Sequence, residues 1–255
     1  MPGHFIHYHG VHVSIPLVIV LTVFLAFIYI VPLHLPFLRK DSKVPGSKMV
    51  ARGVSTVLSC AIGVFVVHLL DVTVPLHYGF KYIVGLYGFH FWHALSTCLA
   101  FVVLFLPTLL FFIKSKRLKV PTDISDIVVI TFVPFAEEMM FRQIMPITLM
   151  TLSFNPMTAC IVSSFIFGLL HFHHLTDKRK PRAEIFGQVA FSSLFGCLVS
   201  IVRVKSGSVF ACMLCHSFCN YLGFPPFELM LTIEGPQFIF KSIAALFAFV
   251  ALMVV

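Results

Sequence analysis

Charge is what this sequence has least of. Only 11% of its 255 residues are Asp, Glu, Lys or Arg and 59% are hydrophobic, against about a quarter charged and about half apolar in a soluble domain. A sizeable water-soluble domain is thereby excluded, and a mean hydropathy of +1.00 points to a polytopic membrane protein. Lys and Arg are missing from Met1 to Val13. The basic start of a cleaved signal peptide is therefore absent, and the apolar run from Val13 reads as a retained span. No repeat, low-complexity tract or interdomain linker occurs, and neither a HExxH sequence nor paired CxxC motifs at structural-zinc spacing is present. The cysteines (Cys60, Cys98, Cys160, Cys197, Cys212, Cys215 and Cys219) fall inside apolar segments rather than loops. That argues for buried packing thiols and against a disulfide framework of the secreted kind. No basic stripe with interleaved aromatics stands on a separate domain, so the net charge of +8 speaks for topology and anionic lipid, not for nucleic acid.

What is present is long apolar segments. The expected fold is all-α, a single transmembrane domain over 1–255 with about eight spans near 13–36, 50–70, 93–113, 127–150, 157–173, 184–202, 208–222 and 237–255. The aromatic-rich interval 71–92 reads as a loop or re-entrant segment. Basic residues cluster after the first, third and fifth spans: Arg39 to Arg52, Lys114 to Lys119 and Lys178 to Arg182. The positive-inside rule makes these loops cytosolic and puts both termini on the other side, with Lys81, Arg203 and Lys205 left for that opposite side. The fifth expected span ends shallower than Glu137, so either it runs further or the site is a cavity open to the cytosol.

Against this background the stretch Phe135-Ala136-Glu137-Glu138-Met139-Met140-Phe141-Arg142 stands out. An ionised side chain at bilayer depth costs roughly 2.5–3.5 kcal/mol on insertion scales and is seldom kept without a function. In a helix Glu138 and Arg142 are four apart on one face, suited to an ion pair. Glu137 points about 100° away, is expected to lack that partner, and is the candidate general base. Pro134 suggests a bend one turn earlier. On another span His171 is placed to share a water with Glu137. His216 and Asn220, four apart, offer two donors for a developing oxyanion. Two rival chemistries use neighbouring residues: a thiol mechanism with Cys212 or Cys219 beside His216, and zinc held by these with His171 and Glu137.

Glu137-Glu138-x-x-x-Arg142, Phe167-x-x-x-His171 and His216-x-x-x-Asn220, in this order and each within an apolar span, resemble the CAAX prenyl endopeptidase family of the Ras-converting type, part of a wider abortive-infection-like group of intramembrane proteases. The runs Gly168 to His174 and Leu214 to Pro225 are similar to its eukaryotic members. The resemblance covers 137–225, while the first 120 residues match only as apolar spans. It implies an eight-helix protein of the endoplasmic reticulum membrane, with catalytic core helices at 127–225 and a site reached from the cytosol. Its substrates would be prenylated CaaX proteins such as small GTPases, which lose their last three residues. Glu137 with His171 would activate water, His216 with Asn220 would stabilise the oxyanion, and Glu138, Arg142 and Phe167 would support them, with no cofactor or metal. The chain departs from the family in ending at Val255 within an apolar run. The reading from another class is a non-enzymatic membrane carrier or lipid-binding protein using the same Glu and His residues; a catalytically silent relative is a third.

Overall fold

The computed structural model describes residues 91–116, 118, 120–121, 124–150, 154–176, 181–223 and 235–254, with isolated helical positions between 16 and 65. The spans expected at 13–36 and 50–70 and the interval 71–90 lie otherwise outside the described residues. Every regular element among those described is helical: α1 (Phe91–Lys114), α2 (Ile124–Glu138), a π-helical turn (Met139–Ile144), α3 (Met145–Met150), α4 (Pro156–Leu170) continued by a 3-10 turn (His171–Thr176), α5 (Arg182–Ser206), α6 (Val209–Leu222) and α7 (Gly235–Val254). The protein is an all-α, multi-pass membrane protein. Among the described residues four helical stretches are long and apolar enough to cross a bilayer, Phe91–Lys114, Pro156–Leu175, Arg182–Ser206 and Gly235–Met253, and Val209–Leu222 is a shorter apolar helix. The 3-10 turn extends the helical stretch of the fifth expected span to Thr176.

Helix ends are set by local chemistry. Asn155 caps α4, its side chain accepting from Thr158 N–H at 2.8 Å, with Pro156 in the first turn where its missing N–H costs nothing. Gly207 ends α5 with φ of 65°, a left-handed conformation that favours glycine, and its N–H reaches the Arg203 carbonyl at 3.1 Å. Ser208 then caps α6 by accepting from Ala211 N–H. With only these two residues between them, α5 and α6 must pack as neighbours.

Packing follows membrane rules. Large apolar side chains such as Leu99, Phe165, Leu194, Phe240 and Phe247 are exposed, as suits lipid contact, while small residues fill the most extensive interface, α4 against α5. There Ser164 and Ser200 are fully buried with hydroxyls 2.9 Å apart, and Ser200 Oγ donates to the Cys160 carbonyl at 3.1 Å, tying the helices together. A Cβ placed on Gly196 would lie 2.8 Å from Ser164 Cβ and 2.9 Å from an Arg142 Nη. Glycine at 196 therefore makes the close approach of α5 to α4 and Arg142 possible. Further in, α6 packs on α2, α1 and α5, and α7 lies along α1.

Gly196→Val should overpack this contact and cost about 1–3 kcal/mol, read as a lower thermal midpoint in detergent; an unchanged midpoint would show that α5 does not approach so closely.

Candidate active site

The two glutamates occupy the last turn of α2, and the chain changes winding directly after them. Pro134 lies inside α2, four residues before the glutamate pair ends that helix. The departure from α geometry comes later, at Met139–Ile144, where Met145 N–H reaches back five residues to the Met140 carbonyl. Wide turns of this kind are rare and recur at functional sites.

Glu138 is fully buried. Its Oε2 lies 3.1 Å from Nε of the equally buried Arg142, the i,i+4 ion pair expected from spacing, and its Oε1 is 2.7 Å from Nδ1 of His216 on α6. A carboxylate only accepts, so Nδ1 carries the hydrogen in that bond. The Arg142 contact is a charge pair without hydrogen-bond alignment, and among the described residues its guanidinium nitrogens take no acceptor. The guanidinium instead faces the Phe167 ring, 5.0 Å from its centroid, an arrangement favourable for a desolvated cation.

Glu137 is less enclosed, its side chain 14% accessible, and its Oε2 stands 3.5 Å from His216 Nε2. Glu137 thus has a partner that spacing along its own helix does not reveal: His216 reaches across from α6 and spans both carboxylates. The imidazole is steadied by ring contacts with Phe195 at 4.9 Å and Phe167 at 6.1 Å.

His171 closes α4. Its Nδ1 is 3.0 Å from the Phe167 carbonyl, which can only accept, so Nδ1 donates and Nε2 of the neutral ring is left as the acceptor. The imidazole stands edge-on to Phe167 at 5.0 Å and interacts electrostatically with both Glu137 and His216. Phe167 thus touches Phe141, Arg142, His171 and His216, which makes it the apolar hub of the site. Asn220 sits one turn beyond His216 on α6, partly buried. Glu137, Glu138, Arg142, His171 and His216 are brought together by the end of α2, the π-helical turn after it, the C-terminal end of α4 and α6.

Several cysteines are engaged in packing. Cys212 is buried with its thiol directed at the Ser208 and Val199 carbonyls, at 3.3 and 3.7 Å, and Cys215 faces Cys98 on α1 at 3.9 Å. All six described cysteines are free. Among the described residues no three His, Cys, Asp or Glu side chains converge in a way that would hold a metal.

Sequence reading missed one charged residue of the site. Arg203, expected as a topological charge on the non-cytosolic side, is instead buried within α5 at 8% exposure. Its Nε donates to the Arg142 carbonyl at 3.2 Å and its Nη2 to Gln143 Oε1 at 2.6 Å. Pro146, four residues after Arg142, signals in the sequence that this carbonyl needs a donor from elsewhere, because a proline denies it the helical one.

With this geometry in hand, residues 124–222 match the family described as Type II CAAX prenyl endopeptidase Rce1-like. By sequence this segment is similar to that family. It contains the whole glutamate–histidine cluster. Among curated proteins, CAAX prenyl protease 2 of Homo sapiens is 31% identical over 113 residues, 41% of this chain and 33% of the human protein. The Rattus norvegicus protein of the same name is 32% identical over 105 residues, 29% of its length. CAAX prenyl protease 2 of Arabidopsis thaliana is 26% identical over 259 residues, 85% of this chain and 82% of the plant protein. The match thus spans about a third of the mammalian relatives and most of the plant one. No solved structure matches the chain.

The two Rce1-like glutamates should differ in what their loss does to folding. Glu138→Ala strands a buried Arg142 and is expected to cost about 3–5 kcal/mol, whereas Glu137→Ala, at the more open carboxylate, should cost less than about 1 kcal/mol. Thermal unfolding in detergent reads the difference; equal losses would mean that Glu138 is not the structural member of the pair.

Proposed function

We propose that the protein is an intramembrane endopeptidase that removes the C-terminal tripeptide from prenylated CaaX proteins, using water and no covalent intermediate. The observation that carries this reading is the meeting of three helices on one carboxylate pair: His216 spans Glu137 and Glu138, and His171 comes within electrostatic reach from α4. The Rce1-like match over those same residues and the names of the relatives supply the substrate class.

In this mechanism water is held between Glu137 and the bare Nε2 of His171. Glu137 takes its proton as the oxygen attacks the carbonyl of the prenylated cysteine. The resulting oxyanion is met by donors from His216 and Asn220. With Nδ1–H already committed to Glu138, the donor that His216 offers the oxyanion is the Nε2–H of the doubly protonated ring. Collapse breaks the amide bond, and Glu137 returns the proton to the departing amine of the tripeptide. Glu138 with Arg142 keeps His216 aimed, and Phe167 keeps the pocket dry around them. The apolar helix surfaces suit a lipidated cysteine, and the peptide tail enters from the cytosolic face of the endoplasmic reticulum. Residues 127–225 are the catalytic core of the single transmembrane domain, and small GTPases are among the expected substrates.

The test is tripeptide release from a farnesylated CaaX peptide by purified protein in detergent. Wild type should cleave, and Glu137→Ala, His171→Ala and His216→Ala should each abolish turnover; Asn220→Ala should lower kcat by roughly 10²–10³ if it donates to the oxyanion. Failure of folded wild type to cleave any of several farnesylated or geranylgeranylated peptides would move the assignment to a carrier or lipid-binding role for the same residues.

A further inference from the structure

The wide turn after the glutamates leaves its own carbonyls short of donors. Met145 N–H is spent on the Met140 carbonyl, five residues back. The Phe141 carbonyl therefore loses its i+4 donor, and its i+5 residue is Pro146, which has no N–H. The Arg142 carbonyl meets the same proline at i+4. Phe141 and Arg142 are both fully buried, where an unpaired backbone oxygen is expensive and no lipid can satisfy it. Side chains from two other helices fill the gap. Ser163 on α4 donates Oγ–H to the Phe141 carbonyl at 2.6 Å, and Arg203 on α5 donates Nε–H to the Arg142 carbonyl at 3.2 Å while holding Gln143 at 2.6 Å.

We propose that Arg203 is a positioning residue for the reaction, fixing the π turn so that Arg142, and through it Glu138 and His216, take their working places. The link is continuous. Arg203 holds the backbone of Arg142; the Arg142 guanidinium lies 3.1 Å from Glu138; Glu138 lies 2.7 Å from His216; and His216 faces Glu137. A loosened turn shifts the donor meant for the oxyanion without removing any group that touches substrate, so the loss falls on kcat and spares KM. This inference rests on the hydrolytic reading above, but its backbone part stands apart from it. Ser163 belongs to the same clamp and reaches it from the helix that carries His171.

A double-mutant cycle between Arg203→Met and Pro146→Ala tests the idea. Alanine at 146 restores an N–H four residues after Arg142, within reach of its carbonyl, so the need for Arg203 should shrink. Alone, Arg203→Met should lower kcat about 10-fold or more with KM changed less than about twofold. Arg203→Lys, which keeps a donor, should recover part of that loss, and in the Pro146→Ala background Arg203→Met should cost less than about threefold. An equal loss of kcat in both backgrounds, or a loss confined to KM or to the amount of folded protein, would overturn the proposal. If Arg203→Met does not fold, Arg203→Lys takes its place in the cycle with the same expected direction. Thermal midpoints of the four proteins separate this proposal from the hydrolytic reading. Wild type without cleavage sinks that reading, while non-additive midpoints still support the carbonyl clamp and additive ones contradict it.

Discussion

A carboxylate with no access to water has to be held by its neighbours, and here the holding of Glu138 organises everything around it. Its two oxygens are divided between Arg142 on the next turn and His216 on another helix. Removing any one of the three strands a charge or a strong hydrogen-bonding group in an apolar interior, where the penalty for an unpaired ion is several kcal/mol. Glu138 is therefore structural in the strict sense that its neighbours' positions depend on it. The adjacent Glu137 inherits a different environment through a rotation of about 100° around the same helix. It is more open, and it faces the far nitrogen of the imidazole that Glu138 has already oriented. On the proposed mechanism one glutamate builds and the other reacts.

The winding of the helix serves the same end. Pro146 denies the Arg142 carbonyl its usual donor and one to Phe141 as well, and the wide turn 139–144 precedes it directly. The cost of those orphan acceptors is offset by Ser163 and Arg203, which bind α4 and α5 to the segment that carries Arg142. Packing around the clamp is close: Gly196 lets Arg142 and Ser164 approach the backbone of α5, and Phe167 lies under both the guanidinium and the two imidazoles. A site made of charges is thus kept rigid by small residues, one proline and one aromatic ring.

Much of this was legible in the sequence. Span positions followed from apolar run length, and the expected segments at 93–113, 127–150, 157–173, 184–202, 208–222 and 237–255 correspond to helices within a few residues at their ends. The Glu138–Arg142 pair followed from i,i+4 spacing, because a helix leaves it no other geometry. Contacts between helices were not legible, since periodicity gives the face of a residue but not what faces it. Hence spacing pairs His216 with Asn220 as oxyanion donors but does not reveal its engagement with both glutamates. Arg203 shows the same limit: counting charges by loop treats a cation near a helix end as a topological marker and does not reveal that its long side chain turns inward to an acceptor. The eight-helix count was drawn partly from residues 13–70, which lie mostly outside those described.

The central claim is that water attacks the scissile carbonyl directly, with Glu137 as base rather than nucleophile. Single-turnover cleavage of a farnesylated CaaX peptide in ¹⁸O-enriched water, enzyme in excess, tests it by mass spectrometry of both product and protein. The account predicts one ¹⁸O in the new carboxylate of the prenylcysteine product and none in the peptide containing Glu137. Label in the Glu137 carboxylate with an unlabelled product would contradict it.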